Sequence, residues 1–334
     1  MVDSVWRAAD RLGTVKARIG IGRMRYTVIP GLYALGAPVR GSPVLVTASY
    51  KMSFDRLRRA CAGLDAWILV LDTDGINVWC AAGKGSFGTD EIVRRVAETR
   101  LDAIVEHRQL IVPQLGAPGI AAHLATRRTG FDLVWGPVMA EDLPEFLAAG
   151  CNATPEMRRK RFPIRERVEL IPMELVPATK PLLLAVLVVL LIGGAANFRN
   201  FWTGILDQAS FGGLALLVAA AAGAVVTPLL LPWLPGRAFS LKGAVAGLIM
   251  IAGALWWRGG GDVATFARFD TVAWLLIGTA MSAFLAMNFT GSSTYTSLSG
   301  VKREMRVAVP LQITAAAIGL ALWLTSLWLP GGGG

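Results

Sequence analysis

Ala66-Trp67-Ile68-Leu69-Val70-Leu71-Asp72-Thr73-Asp74-Gly75-Ile76-Asn77-Val78-Trp79-Cys80-Ala81-Ala82-Gly83-Lys84 decides the fold of the first half of this chain. Ala66 to Leu71 is an almost unbroken apolar run, the pattern of a strand buried on both faces. Asp74-Gly75 then offers a tight turn into a second short strand, Ile76 to Trp79, which places the Cys80 thiol just past a strand end.

Working outward, Val44 to Ala48 is a further short apolar strand, followed by the helical pattern of Phe54 to Ala62. Downstream, Thr89 is expected to N-cap a helix from Asp90 to about Thr99, with Asp90 and Glu91 favourably placed in its first turn. Leu110 to Val112 with a helix near Gly119 to Arg128, and Phe131 to Trp135 with a helix from Glu141 to Ala149, complete the alternation. The fold class is an α/β open sheet, Rossmann-like. Ligands of such sheets bind at the carboxyl ends of the strands, where Cys80, the Pro113 to Gly119 loop and the Gly136-Pro137 loop are expected to converge.

The second half is different in kind. The 334 residues are 54% hydrophobic, more apolar than an ordinary soluble enzyme. Residues 1–181 carry 25 Lys/Arg and 19 Asp/Glu, and the remainder only 8 and 4. That contrast predicts a domain over 1–170, a linker over 171–181, an all-α transmembrane domain of five helices over 182–330, and a glycine tail at 331–334. The spans are expected at 182–198, 211–234, 241–257, 271–289 and 307–329, each close to the roughly 20 helical residues that cross a bilayer. Basic residues from Arg158 to Arg167, at Arg237 and Lys242, and at Lys302, Arg303 and Arg306 all fall on one side. The positive-inside rule therefore puts the N-terminal domain in the cytoplasm and the C-terminus outside a multi-pass inner membrane protein. The first residues contain no apolar signal-peptide core. No ionisable residue lies in the interior of these spans, which disfavours an ion-coupled pump and favours a membrane platform. The net charge of +10 is explained by this bias and by anionic lipid, so no nucleic-acid partner is invoked.

A cysteine in a cytoplasmic domain is by default a small buried hydrophobe. Around Cys80, small residues would let a large flat ligand approach the backbone, and Lys84 with the helix start near Thr89 would favour a metal-binding thiolate. Gly83 to Gly88 also satisfies GxGxxG, so a membrane-bound dinucleotide-dependent oxidoreductase is an alternative. Asp102 and Glu106, however, stand too close to serve the ribose. Cys61 and Cys151 have no Cys or His at metal spacing, and His107 and His123 read as structural or surface residues. With no CxxC run the chain carries no iron-sulfur cluster of its own, so electrons must come from elsewhere.

The segment NVWCAAGK (77–84), with PVLVTASYKMSFD before it, PGLYALG further upstream, HRQLIVPQLGAPG downstream and NFTGSSTYTSLSGVKREM before the last span, resembles the HgcA family of membrane-anchored corrinoid proteins of mercury methylation. The soluble half is also similar to the corrinoid domain of the corrinoid iron-sulfur protein of the acetyl-CoA pathway, which lacks the cysteine. The resemblance implies a corrinoid-binding domain with a base-off, cobalamin-type corrinoid whose cobalt takes Cys80 as its lower axial ligand. By the same resemblance Thr47 matches the threonine that lies near the cobalt, and Asn77, Val78, Trp79, Ala81, Ala82, Gly83 and Lys84 are the implied cofactor-binding residues. Ser49 stands where the family is expected to have Asn. The implied activity is transfer of methyl from a methylated pterin, supplied by a methyl-donor methyltransferase, through methyl-Co(III) to inorganic Hg(II). Strong thiolate donation opposite the methyl favours its release with the electron pair. The implied reductant is an HgcB-like ferredoxin with two 4Fe-4S clusters, docking near Arg237 or Thr290 to Arg306. A non-catalytic corrinoid carrier or sensor is the remaining alternative.

Overall fold

The computed structural model describes residues 1–197, 199–262, 268–289 and 298–328. The glycine tail and positions 290–297 of the last loop lie outside the described residues. The chain forms two units, Met1–Arg161 and Phe162–Gly334.

The first unit runs α1 (Ala8–Arg18), β1 (Gly31–Leu35), β2 (Val44–Ala48), α2 (Lys51–Ala60), β3 (Ala66–Leu71), α3 (Val78–Lys84), α4 (Thr89–Glu98), α5 (Leu101–Ile104), β4 (Gln109–Val112), α6 (Ala122–Thr129), β5 (Asp132–Trp135) and α7 (Leu143–Ala148). Its five-stranded sheet has the order β1-β3-β2-β4-β5. β2, β3, β4 and β5 pair in parallel, with Thr47 opposite Val70 and Ala48 opposite Leu71. β1 adds an antiparallel edge on β3.

Alternation along the strands divides the core. Val44, Val46 and Ala48 of β2 and Leu69 and Leu71 of β3 pack on one face with Ala81, Ala82, Phe87, Ile92 and Val96. Leu45, Ile68 and Val70 pack on the other with Phe54, Leu57 and Phe146. Apolar side chains on both faces are what make β2 and β3 read as continuous hydrophobic runs.

The stretch Ile76 to Trp79, expected as a strand, is instead the entrance to α3. The Asn77 side chain accepts a hydrogen bond from the Cys80 backbone N–H at 2.9 Å, and this N-cap starts a helix where an apolar tetrapeptide alone suggested a strand. Gly88, not Thr89, is the N-cap of α4, because the Thr89 hydroxyl accepts from the Ala121 N–H at 2.9 Å.

An ionic cluster ties the N-terminal segment to α2. The buried Arg58 guanidinium donates to Asp55 at 2.7 Å, to Asp10 at 2.8 Å, and to the Asp3 and Val5 carbonyls at 2.9 and 2.7 Å. Lys51 reaches Asp10 at 2.7 Å and Asp55 at 2.6 Å. Burial raises the Asp10 carboxyl pKa, but hydrogen bonds from Lys51, the Arg7 backbone and Arg58 outweigh it and hold the pKa at about 2.

The second unit contains five helices long and apolar enough to cross a membrane: α8 (Ile164–Ala196), α9 (Phe201–Leu229), α10 (Phe239–Arg258), α11 (Phe269–Asn288) and α12 (Leu298–Ser326). Residues 171–181, expected as a linker, are helical within α8, so its 33 residues outrun the apolar span by several turns. α9 begins earlier than expected and carries two π-helical stretches, Gly204–Ala209 and Ala222–Val226. α10 and α11 cross closely. Ser282 Oγ donates to the Gly243 carbonyl at 2.7 Å, and a Cβ at Gly243 would stand 2.8 Å from the Ser282 carbonyl. Arg167 closes the carbonyl end of α9 on Pro228 and Leu229, and Lys242 Nζ donates to the carbonyls of Leu231 at 2.7 Å and Leu234 at 2.5 Å in the turn that follows.

Arg58→Ala removes the more buried of the two cations that Asp10 and Asp55 share, leaving Lys51 alone, and is expected to cost the first unit about 3–5 kcal/mol, read by denaturant unfolding of the full chain in detergent. A loss below about 1 kcal/mol would show that the cluster is dispensable. Because the folded Asp10 pKa lies below its ordinary 3.8, its contribution is complete above that pH and is lost as pH falls towards 2. Amide exchange in residues 3–18 should accelerate over that interval, and Asp10→Asn should remove the acid-sensitive step.

Candidate metal-binding thiol site

The carboxyl ends of β2 and β3 and the loop leaving β3 define the site. From Leu71 the chain must reverse into α3 within six residues, and three side chains fix that path. The buried Ser49 hydroxyl, one residue past β2, accepts the Thr73 N–H at 3.1 Å and the Gly75 N–H at 3.4 Å. It also lies 3.2 Å from Thr73 Oγ1, whose own proton goes to the Ile76 carbonyl at 2.8 Å. Glu91 Oε1 on α4 accepts the Asp72 N–H at 2.7 Å. The turn itself uses two successive left-handed residues, Asp74 at φ 54° and Gly75 at φ 70°. Gly75 has a second reason to be glycine, since a Cβ there would fall 2.7 Å from Thr27 Cγ2 and 3.1 Å from the Met24 carbonyl.

α3 then presents Cys80 in its first turn. Ala81 and Ala82 are buried against the sheet core, while Val78, Trp79 and Cys80 are half-buried and Gly83 and Lys84 exposed. Small residues let α3 approach the Gln114–Gly119 turn backbone to backbone, for a Cβ on Gly119 would stand 2.9 Å from the Ala82 Cα. The structure thus brings the Asn77 to Lys84 segment together with the Pro113 to Gly119 loop. Thr47 is buried at the carboxyl end of β2, on the same edge of the sheet. Gly136 follows β5, its N–H bonded to the Val112 carbonyl at 2.9 Å.

The expectation of a lowered Cys80 pKa is reversed. Burial pushes the thiol up, and the Asn77 hydrogen bond with the positive charges of Lys84 and Arg23 only partly offsets it. In the metal-free protein the thiol is therefore neutral near pH 7. Cys61 is fully buried, its thiol driven to about 11 by the apolar core. Cys151 is half-buried in a left-handed conformation and packs on the same core face.

His107 is held at the opposite, amino end of β4, its Nε2 2.9 Å from the Ser42 carbonyl and its Nδ1 accepting the Gln109 N–H at 3.2 Å. His123 is exposed on α6. The glycine stretch 83–88 does not have the geometry of a dinucleotide turn. Gly83 lies inside α3, Gly85 ends that helix at φ 89°, and Gly88 caps α4, so the stretch joins helix to helix instead of strand to helix.

Sequence reasoning passed over Ser49, Thr73 and Glu91 as parts of the site. Ser49 stood out only as a departure, and the signal for Thr73 was a hydroxyl in the reversal after a buried strand. Among the described residues no group of three or more His, Cys, Asp or Glu side chains could hold a metal ion. A single soft donor at an open sheet edge suits a metal that arrives with most of its ligands already attached.

Residues 22–142 match the family profile of the CO dehydrogenase/acetyl-CoA synthase delta subunit. The chain is 34% identical over 122 residues to the acetyl-CoA decarbonylase/synthase complex gamma subunit of Methanopyrus kandleri, covering 36% of this chain and 26% of that protein. It is 28% identical over 145 residues to the gamma subunit of Archaeoglobus fulgidus, covering 40% and 30%, and 29% identical over 132 residues to that of Methanocaldococcus jannaschii, covering 37% and 26%. The chain thus spans less than a third of the length of these relatives. The stretch 22–142, which holds the sheet, the Ser49 clamp and the Cys80 helix, is similar to the delta and gamma subunits of these complexes, and it ends before the first membrane-length helix at Ile164.

Proposed function

We propose that the first unit binds a corrinoid with Cys80 as the axial cobalt ligand and that the protein transfers a methyl group to inorganic Hg(II). The observation that carries this reading is the placement of Cys80 in the first turn of a capped helix at the carboxyl edge of a sheet similar to those subunits. The resemblance of Asn77 to Lys84 to the HgcA family supplies the mercury substrate. Cys80, with Thr47 and the Asn77 to Lys84 segment, would hold the corrinoid, which would supply a cobalt centre able to carry a methyl group.

The chain's own part is binding, orientation and shielding. Asn77 anchors the α3 backbone so that the Cys80 side chain is presented from a fixed turn. Ser49 and Glu91 hold the loop that brings α3 over the sheet edge, and Thr47 lines that edge from β2. Gly83 and Lys84 leave the outer side of the helix low and cationic. Cys80 must lose its proton to bind a metal, and burial keeps it protonated until then. Electrons and methyl groups come from partners, a ferredoxin with two 4Fe-4S clusters and a methyl-donor methyltransferase. The basic flanks of the helices support a cytoplasmic first unit and an outside C-terminus.

In an anaerobic titration of the full chain with cobalamin, the visible spectrum of wild type should shift and that of Cys80→Ala should not. Methylmercury should form from methylcobalamin-loaded wild type and Hg(II) and fall at least about 100-fold in the variant, the scale of a lost metal ligand or its support. Absence of a spectral shift in wild type would sink the corrinoid reading. A shift without methylmercury would leave a corrinoid carrier and remove the mercury step.

Because the free thiol is neutral and its pKa raised, cobalamin binding should release a proton and tighten as pH rises from 6 to 9, where an ordinary thiol would level off sooner. Proton release measured by calorimetry in buffers of different ionisation enthalpy gives the count, and a flat pH profile would show that the thiol is not the ligand.

A further inference from the structure

α1 is amphipathic in an unusual sense, because its apolar stripe points away from the protein. Its inner side, Asp10, Gly13, Thr14 and Ala17, faces α2 and Tyr26 through the ionic cluster and close packing. At 100° per residue Ala8, Leu12, Val15 and Ile19 share the opposite face, flanked by Arg11 on one side and Lys16 on the other. Leu12 and Val15 are 56% and 53% exposed, and the turn that follows adds Ile21 at 60% and Met24 at 64% beside exposed Arg25.

Such a face is costly in water and has no counterpart elsewhere on the first unit, whose remaining large apolar side chains are mostly buried or scattered singly. Apolar residues bordered by cations are the pattern of a helix lying in the headgroup plane of an anionic bilayer. A bilayer is at hand, because five helices of the same chain are long and apolar enough to cross one. We infer that the outward face of α1 and the turn to Met24 rests in an anionic membrane surface, with Leu12, Val15, Ile21 and Met24 buried among acyl chains and Arg11, Lys16 and Arg25 on the lipid phosphates.

The inner side of this arm connects it to the site. The Lys51 N–H donates to the Tyr26 carbonyl at 3.0 Å and the Val28 N–H to the Ser49 carbonyl at 2.8 Å. Met24 and Thr27 close over Gly75, two residues before the helix cap Asn77. Seating the arm on lipid would therefore brace the loop that presents Cys80.

The test uses the full chain in nanodiscs containing a phospholipid with a diazirine on its acyl chain. Photolabelling of residues 8–25 is quantified by mass spectrometry against labelling of α10 and α11 as internal reference. In discs with phosphatidylglycerol the arm should be labelled, and it should be labelled far less in phosphatidylcholine alone or at high salt. Neutralising Arg11 and Lys16 together as glutamine should cut labelling by about fivefold or more per charge. Leu12→Gln with Val15→Gln, both at exposed positions, should abolish it while amide protection of α2 and β3 is retained. An arm that stays unlabelled while α10 and α11 are labelled would overturn the inference. So would labelling indifferent to lipid charge and to all four substitutions, or shielding that appears only when an acidic soluble protein is added, which would assign the face to that partner.

Discussion

The hydroxyl of Ser49 is the contact on which the site's geometry depends. A strand buried on both faces must end at the sheet edge with its next backbone N–H groups unpaired, and a buried unpaired N–H costs about 1–3 kcal/mol. Ser49 satisfies two of them, on Thr73 and Gly75, and passes its own proton to Thr73, which in turn closes on Ile76. The chain is thereby delivered to Asn77 in the extended conformation an N-cap needs, with φ −66° and ψ 160°. The position of Cys80 follows from that chain of bonds.

Much of the sheet was legible because β2 and β3 are apolar on both faces, a pattern that only a covered parallel sheet produces. β4 and β5 were found as well, β4 starting one residue earlier than expected, at Gln109, and β5 one residue later, at Asp132. β1 was missed. It is a five-residue edge strand between Pro30 and Gly36, half-buried over four of its residues, and edge strands carry too little alternation to announce themselves. α1 was missed because its apolar residues face outward, so its periodicity describes a surface other than the core. The membrane helices were visible as apolar runs, but their ends were not. α8 continues through Glu166, Glu169, Glu174 and three prolines, where hydropathy marks the limit of the apolar span and not of the helix.

Around Cys80, the buried strand and the turn that precede it were legible and the entry into α3 was not. Four residues from Ile76 to Trp79 fit a strand as well as a helix entrance, and only the long-range clamp from Ser49 together with the Asn77 cap decides between them. The thiol's protonation was misjudged for a related reason. Lys84 and Arg23 do act on Cys80, yet a half-buried thiol loses more by leaving water than two solvated cations return. Ser49 illustrates the limit of resemblance, since it registers there as a departure and in the structure as a support.

A protonated, half-buried thiol has consequences for how such a site works. A free thiolate at an open sheet edge would bind any soft cation, Hg(II) included, and would be oxidised readily. A thiol held neutral by burial is instead inert until a strong Lewis acid displaces its proton, so selectivity falls to whichever metal can reach the first turn of α3 in the right orientation. The small residues of α3 and Gly119 let helix and turn pack backbone to backbone, so no side-chain donor enters between them. With no group of three or more His, Cys, Asp or Glu able to hold a metal ion among the described residues, a bare ion finds no protein cage there. A macrocycle-bound metal needs only one protein donor. The same scarcity of donors that makes the site look weak as a metal centre is what would let it discriminate in favour of a metal that carries its own equatorial ligands.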